Sequence, residues 1–418
     1  MKYLYIFLMC VGAVTVSAQA QPYGLEQLEQ QFLSRNYMLI AAKFDIGRAE
    51  AEVVQEKLWP NPVLSVDEFN LWSNATSETM PPLLGSYGRT QQVSIELEQL
   101  IETAGKRKKR VAVKQLEHRM AVHEFEELVR ELKKELRQTY YHVVSQKQSL
   151  LQLRAMVDLF EQLSRQYARQ SQQQNVSLAD YRRVQAELIS LRKEQLELED
   201  DIASSIHVLR VLTQLDDITV DQLQDGNTFE SRLARLPADV VSLALSQNIG
   251  LKRQLTAVEQ AEAELRLEKA NRKPDLTLQV GYDRGGNIMQ DFVGLGVSMD
   301  LPLFNRNKGN IQAAKQSVEL QRAQQASLQW ELESAVRKRR DQLLRYERML
   351  QDWSADAIHE QQAMVDRYRK HLQGQQITLM EFIDFVQAAR EAHGAFLDVW
   401  ENYNTTLEEL QYLVGSDF

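Results

Sequence analysis

Residues 126–140 read EELVRELKKELRQTY, in which Leu128, Leu132, Leu136 and Tyr140 fall four apart with charged residues between them. That spacing puts the four on one stripe of an α-helix. The stretch lies inside a 120-residue run, 106–225, that contains neither glycine nor proline, and a second such run covers the 64 residues 310–373. The whole chain has 17 Gly and 8 Pro among 418 residues, about half of average usage. Ordinary helices run about 11–12 residues and end at turns that favour those two residues. The sequence therefore predicts very long helices. It excludes a sandwich, an α/β barrel or a nucleotide-binding α/β fold for most of the chain. A continuous helix from 105 to about 167 would reach ~95 Å at 1.5 Å per residue, and needs helical neighbours along its course, as in a coiled coil or a tube.

Outward from the helices the period changes to two. In 274–283, Leu276, Leu278, Val280 and Tyr282 alternate with Asp275, Thr277, Gln279 and Gly281. In 292–301, Val293, Leu295, Val297, Met299 and Leu301 alternate with Gly294, Gly296, Ser298 and Asp300. The first half repeats this with Leu64 and Val66, then with Val93, Ile95 and Leu97 opposite Gln92, Ser94 and Glu96. Each run has about the 9–11 residues of a tilted membrane-spanning strand. Alternation alone fits half-buried hairpins on a soluble domain equally well. Four strands cannot close a barrel, and lipid does not tolerate an open edge. Two chains would supply eight strands, whose interior fills with side chains; three would supply twelve and leave a lumen.

The two halves echo each other in order. Leu33-Ser34-Arg35-Asn36 matches Leu245-Ser246-Gln247-Asn248 at an offset of 212, as Ala49-Glu50-Ala51-Glu52 matches Ala261-Glu262-Ala263-Glu264. Thr103-Ala104-Gly105-Lys106 answers Asn307-Lys308-Gly309-Asn310 at 204, and Val176-Ser177-Leu178-Ala179-Asp180-Tyr181 answers Ile377-Thr378-Leu379-Met380-Glu381-Phe382 at 201. This predicts two structural repeats. The first, 21–236, holds a helix, strands at about 62–70 and 90–100, a long helical hairpin 105–212 and a connector 213–236. The second, 237–418, holds a helix, strands at about 274–283 and 291–301, and a hairpin 309–414.

Residues 1–20 read as a secretory signal: Lys2, an apolar run over 3–14, then small residues around Ala18 and Ala20. Its removal takes away the only cysteine, Cys10, and changes the formal charge from −9 to −10. No disulfide framework or Cys-based metal site is then available, and an exported acidic chain is a poor nucleic-acid binder. The seven histidines are scattered, with His118 and His123 five apart, a poor spacing for one helix face. No metal-ligand set, cofactor motif or catalytic constellation is visible, which argues against an enzyme.

Several features together resemble the TolC family of outer-membrane efflux ducts. They are the duplicated plan, the hairpin 277–301, the strand exit Leu301-Pro302-Leu303-Phe304 before Lys308-Gly309-Asn310, and the turns Asn175-Val176-Ser177-Leu178 and 376–384. Within the family, 377–384 is most similar to the heavy-metal branch. The resemblance implies a mainly α protein with a membrane β-barrel portion. In it, a homotrimer shares a 12-stranded barrel in the outer membrane above a periplasmic α-barrel. It also implies a passive duct partnered by a periplasmic adaptor and an inner-membrane pump of the resistance-nodulation-division type. Val176, Ser177 and Leu178, with Ile377, Thr378 and Leu379, would be adaptor-docking tips, although caps with a hydrophobic staple explain them too. Glu381 and Asp384 would form an acidic ring at the entrance, favouring cations. Lys106, Arg107, Lys108, Lys109 and Arg110 oppose the dipole of the helix they open; in this architecture they would contact lipid at the inner leaflet of the outer membrane. The competing reading is a periplasmic coiled-coil scaffold with soluble strand pairs.

Overall fold

The computed structural model describes residues 22–67, 82, 92–224, 231–285, 291–353 and 355–418. The predicted signal lies outside these residues, as does the loop 70–88 apart from Pro82. The chain runs α1 (Leu25–Arg35), α2 (Tyr37–Glu56), β1 (Val63–Asp67), β2 (Val93–Ile101), α3 (Lys106–Gln172) and α4 (Leu178–Thr213). It continues with α5 (Val240–Gln247), α6 (Ile249–Asn271), β3 (Leu276–Arg284), β4 (Asp291–Met299), α7 (Lys308–Asp352), α8 (Ala355–Gln373) and α9 (Leu379–Val414). The fold is mainly α with four antiparallel strands. The first glycine-free run yields α3, 67 residues without a break. The second does not form one helix, because α7 ends at Asp352 and α8 begins at Ala355.

Neither long helical turn places glycine at its left-handed position, although Gly374 stands just before that position in the second turn. Gln174 adopts φ 60° and Gln375 φ 55°. After α3, the Asn175 N–H donates to the Gln170 carbonyl and the Gln174 N–H to Ser171; after α8, the Gln376 and Gln375 N–H groups donate to His371 and Leu372. These are two copies of the Schellman closure, which satisfies the last helical carbonyls. Left-handed residues also precede the helices that leave the sheet: Gly105 (φ 66°) before α3 and Asn307 (φ 55°) before α7. The helix starts therefore align at an offset of 202, pairing Gly105 with Asn307, and Gly309 falls inside α7. The sequence match at 204 is two residues out of register because it aligned the glycines instead of the left-handed positions.

The chain forms two compact units, each drawing on both sequence repeats. The sheet-bearing unit comprises 37–134, 232–344 and 406–418. Its sheet has the order β1-β2-β3-β4, antiparallel throughout, with β1 and β4 at the edges. Leu64 lies opposite Leu97, Leu97 opposite Val280 and Val280 opposite Leu295. Beneath the sheet, Val113 and Leu116 of α3 pack on Ala263 and Leu267 of α6. The Asn248 side chain joins α5 to α6: its Oδ1 accepts from the Leu251 N–H at 2.7 Å, and its Nδ2 donates to the Leu413 carbonyl at 2.8 Å.

Of the described residues, the helical unit draws on 22–36, 135–224, 231, 345–353 and 355–405. Its core runs along α3, α4, α8 and α9 through Phe160, Leu163, Val184, Leu191, Phe382 and Val386, all fully or nearly buried. Tyr368 and Phe385 stack with ring centroids 3.8 Å apart. Asn36, between α1 and α2, is 2% exposed, and its Nδ2 donates to the Leu212 carbonyl at 2.9 Å. That contact has the same logic as Asn248 to Leu413: an asparagine at a helix junction holds the end of the returning long helix.

Candidate functional site

The two helical turns are built from the same chemistry. Ser177 precedes α4, and its Oγ accepts from the Asp180 N–H at 3.0 Å. Thr378 precedes α9, and its Oγ1 accepts from the Glu381 N–H at 3.2 Å while the Glu381 carboxylate accepts from the Thr378 N–H at 2.8 Å. The second turn is therefore a complete capping box. Val176 and Ile377 are half-buried and pack on the same core as Tyr181 and Phe382 four positions inside each helix, as a hydrophobic staple does.

These roles sort the six turn residues. Ser177 and Thr378 stay exposed as caps, and Val176 and Ile377 turn inward as staples. Leu178 is 61% exposed, whereas Leu379 is 7% exposed and belongs to the core. The outward apolar residue at the second turn is Met380, 49% exposed, which sequence reasoning missed. The helical period carries the signal: Leu379, Phe382, Ile383 and Val386 share the inward stripe of α9 and leave Met380 outside it.

Glu381 and Asp384 are both exposed, three apart on α9. The Thr378 amide and hydroxyl hold the Glu381 carboxyl below the usual carboxylate range, so it stays anionic at neutral pH. Asp384 has no partner among the described residues. In the first repeat Asp180 accepts from the Ser177 hydroxyl at 2.6 Å, and Arg183 occupies the position matching Asp384. The cap thus fixes one carboxylate, and the other is left to solvent.

The sheet has two chemically distinct faces, because side chains alternate along each strand. Register places Leu64, Val66, Ile95, Leu97, Leu278, Val280, Val293, Leu295 and Val297 on one face. These residues are exposed, Leu295 to 86%. Glu96, Glu98, Gln279 and Asp283 lie on the opposite face with Ser65, Thr277 and Gly296. There the Gln279 amide donates to Glu98 at 2.8 Å. A Cβ on Gly296 would sit 2.9 Å from the Gln279 Oε1, so glycine makes room for that pairing.

Two of the five cations in the basic run after β2, Lys106 and Arg110, are neutralised within the sheet-bearing unit. Lys106 is buried and pairs with Asp275 at 2.8 Å. Arg110 pairs with Glu102 at 2.6 Å and with Glu56; these hydrogen bonds raise its pKa above the ordinary arginine value. Arg107 lies 3.8 Å over the Trp59 ring, and the Lys109 ammonium donates to the Ala104 carbonyl. Lys108 alone of the five is exposed without a partner among the described residues. The compensating carboxylates come from the end of α2 (Glu56), from the connector that opens α3 (Glu102) and from the connector before β3 (Asp275).

The helical unit also contains a groove of about 470 Å³ between α3, α8 and α9, lined by Met156, Leu159, Val365, Val386 and His393 among others. Burial lowers the His393 pKa, which keeps the ring neutral. Among the described residues, no three His, Cys, Asp or Glu side chains converge as a metal site.

Paired helical hairpins and an exposed four-stranded sheet with two chemically distinct faces make up a fold shared with solved outer-membrane channels. Residues 240–416 match the family model described as outer membrane efflux protein. The matched segment is 177 of the 418 residues, and over it the chain resembles outer-membrane efflux proteins of the TolC type. The chain is 22% identical over 297 residues to the cobalt-zinc-cadmium resistance protein CzcC of Cupriavidus metallidurans, an alignment covering 71% of this chain and 66% of that relative. Its fold superposes on the outer membrane protein VceC of Vibrio cholerae with a TM-score of 0.74 at 16% identity, covering 94% of this chain and 96% of that one. The CmeC outer membrane channel of Campylobacter jejuni gives 0.74 at 15% identity, covering 94% and 85%.

Proposed function

We propose that three copies of this chain assemble into a passive export duct, the outer-membrane component of a tripartite efflux pump. One observation carries the reading: a four-stranded sheet exposes a continuous apolar face and leaves β1 and β4 unpaired. Neither feature is tolerable in a lone chain, since an exposed apolar edge strand templates aggregation in water and an open edge is excluded from lipid. Pairing β4 of one copy with β1 of the next removes both edges, and three copies make twelve strands around a lumen. The apolar face then meets lipid, and the face with Glu96, Glu98 and Asp283 lines the passage.

The helix turns dock a periplasmic adaptor, which connects the duct to an inner-membrane resistance-nodulation-division pump. Leu178 and Met380 supply the exposed apolar contacts, flanked by Ser177 and Thr378. Val176, Ile377 and Leu379 support them from the core side. Glu381 and Asp384 of three copies ring the entrance and favour cations. Heavy-metal cations are the proposed cargo, a reading supported by the likeness to a cobalt-zinc-cadmium resistance protein and by the acidic passage. The duct performs no catalysis.

The test is purification in detergent, gel electrophoresis without boiling, and recording in planar bilayers. A trimer band with cation-selective conductance is expected. A water-soluble monomer without conductance would overturn the assignment.

A further inference from the structure

Register brings all four connectors between strands and helices to one end of the sheet. Val63 lies opposite Glu98, Ile101 opposite Leu276 and Leu276 opposite Met299. The segments 57–62, 102–105, 272–275 and 300–307 therefore leave the sheet side by side, toward α2, α3, α6 and α7. This end is unlike the rest of a chain whose net charge is −9. Its carboxylates are already engaged: Glu56 and Glu102 by Arg110, Asp275 by Lys106 and Glu268 by the Asn307 amide. Lys57, Lys108, Arg272, Lys273, Arg306 and Lys308 are exposed with no ion-pair partner among the described residues. Asp300 is the one unmatched anion among these connectors.

Large apolar side chains stand exposed among those cations. Leu58 and Trp59 enter the edge strand β1, and Leu301, Leu303 and Phe304 leave the edge strand β4, Phe304 being 99% exposed. The Arg107 guanidinium covers the Trp59 ring on the protein side. Rings and aliphatic chains beside lysine and arginine heads are the composition of a membrane interface, where apolar bodies sit at the glycerol level and cations reach the phosphates.

We infer that this end of the sheet is a seat for anionic phospholipid headgroups of the periplasmic leaflet, built jointly by the four connectors. The inference rests on the outer-membrane placement and specifies which cations face lipid. Lys106 and Arg110 hold the junction together from inside, while Lys108, Lys308 and their neighbours meet phosphate. Charge complementarity and continuity with the apolar sheet face favour lipid over an acidic protein partner.

The test uses the full chain refolded into vesicles of phosphatidylethanolamine alone, or with about a quarter phosphatidylglycerol, reading the fraction that resists carbonate extraction. Each cation near an anionic surface is worth about a factor of five in partitioning. The wild type should prefer the anionic vesicles, and the pair Lys108→Gln with Lys308→Gln should lose about 25-fold of that preference. The pair Lys108→Arg with Lys308→Arg should retain it. A glutamine pair that keeps the full preference overturns the proposal. So does a wild type that inserts equally into both vesicles, or a glutamine pair that loses oligomer but not lipid preference. Insertion into neither vesicle would instead overturn the outer-membrane placement itself.

Discussion

The unequal burial of Leu178 and Leu379 separates docking from stability at two positions that the sequence makes equivalent. Leu379 is 7% exposed against Phe382 and Ile383, whereas Leu178 is 61% exposed. Full burial of a leucine contributes about 1.5–3 kcal/mol, and truncating a buried leucine to alanine costs about 2–5 kcal/mol once the cavity is included. An exposed leucine at a helix start should cost within about 0.5 kcal/mol. Leu379→Ala should therefore speed local opening of the first turns of α9 by about 30-fold or more, since each 1.4 kcal/mol is a factor of ten. Amide hydrogen exchange at Phe382, Ile383 and Val386 reads that opening directly. Leu178→Ala should leave exchange at the matching α4 amides within about threefold of wild type. Adaptor capture should invert the order, with Leu178→Ala combined with Met380→Ala binding poorly while exchange stays slow. Equal exchange in the two single variants would refute the burial argument. Undiminished adaptor capture by Leu178→Ala with Met380→Ala would refute the docking one.

Other consequences follow from the same geometry. Gly415 has φ 84°, and a Cβ there would meet the Gln247 carbonyl oxygen at 2.6 Å. Gly415→Ala should lower the thermal midpoint by the equivalent of about 2 kcal/mol or more, while Gly47→Ala, with nothing within 4 Å, should be neutral or mildly stabilising. The Glu381 carboxyl is depressed, so its support of the α9 cap is present above the ordinary carboxylate pKa and fades as pH falls through the lowered value. Relative to the intrinsic exchange rate at each pH, protection of the first α9 amides should fall on acidification in wild type and stay constant in Glu381→Gln. The His142 Nδ1–H donates to the Glu401 carboxylate at 2.8 Å, and that hydrogen bond raises the imidazole pKa, helped by the Glu401 and Asp201 charges. This link is fully present below the ordinary imidazole pKa and weakens as pH rises through the raised value; an NMR titration of His142 should show the upward shift vanish in Glu401→Gln. Neutralising both carboxylates of the proposed entrance ring, Glu381→Gln with Asp384→Asn, should weaken block by multivalent cations in single-channel recordings.

Much of the architecture was legible because long-range order here is set by local periods. The absence of turn residues gave α3 its start at Lys106, and alternation placed β3 and β4 within two residues at either end. Less visible was anything decided by neighbours. The break between Asp352 and Ala355 has no Gly or Pro to announce it, and we have no physical account of it. The fate of the basic run depended on Glu56 at the end of α2 and Asp275 before β3, which meet it only in the fold, as well as on the neighbouring Glu102. The capping role of Glu381 was not read from the sequence, although Thr378-Leu379-Met380-Glu381 has the spacing of a capping box. Asn36 and Asn248 stood in the repeated Leu-Ser-Arg/Gln-Asn motif, but only contacts with Leu212 and Leu413 show what the asparagine holds.

Gln174 and Gln375 carry a further implication. Glycine would adopt their left-handed backbone freely, whereas a residue with a Cβ resists it by about 1–2 kcal/mol. A glycine turn could form first and guide two helices together. A glutamine turn exists only while the arms on either side hold it in place. The ends of these hairpins are thus subordinate to the arms: any torque that parts α3 from α4, or α8 from α9, is relieved at once by the turn reverting to right-handed backbone. Rigidity at the tip is borrowed from the length of helix behind it.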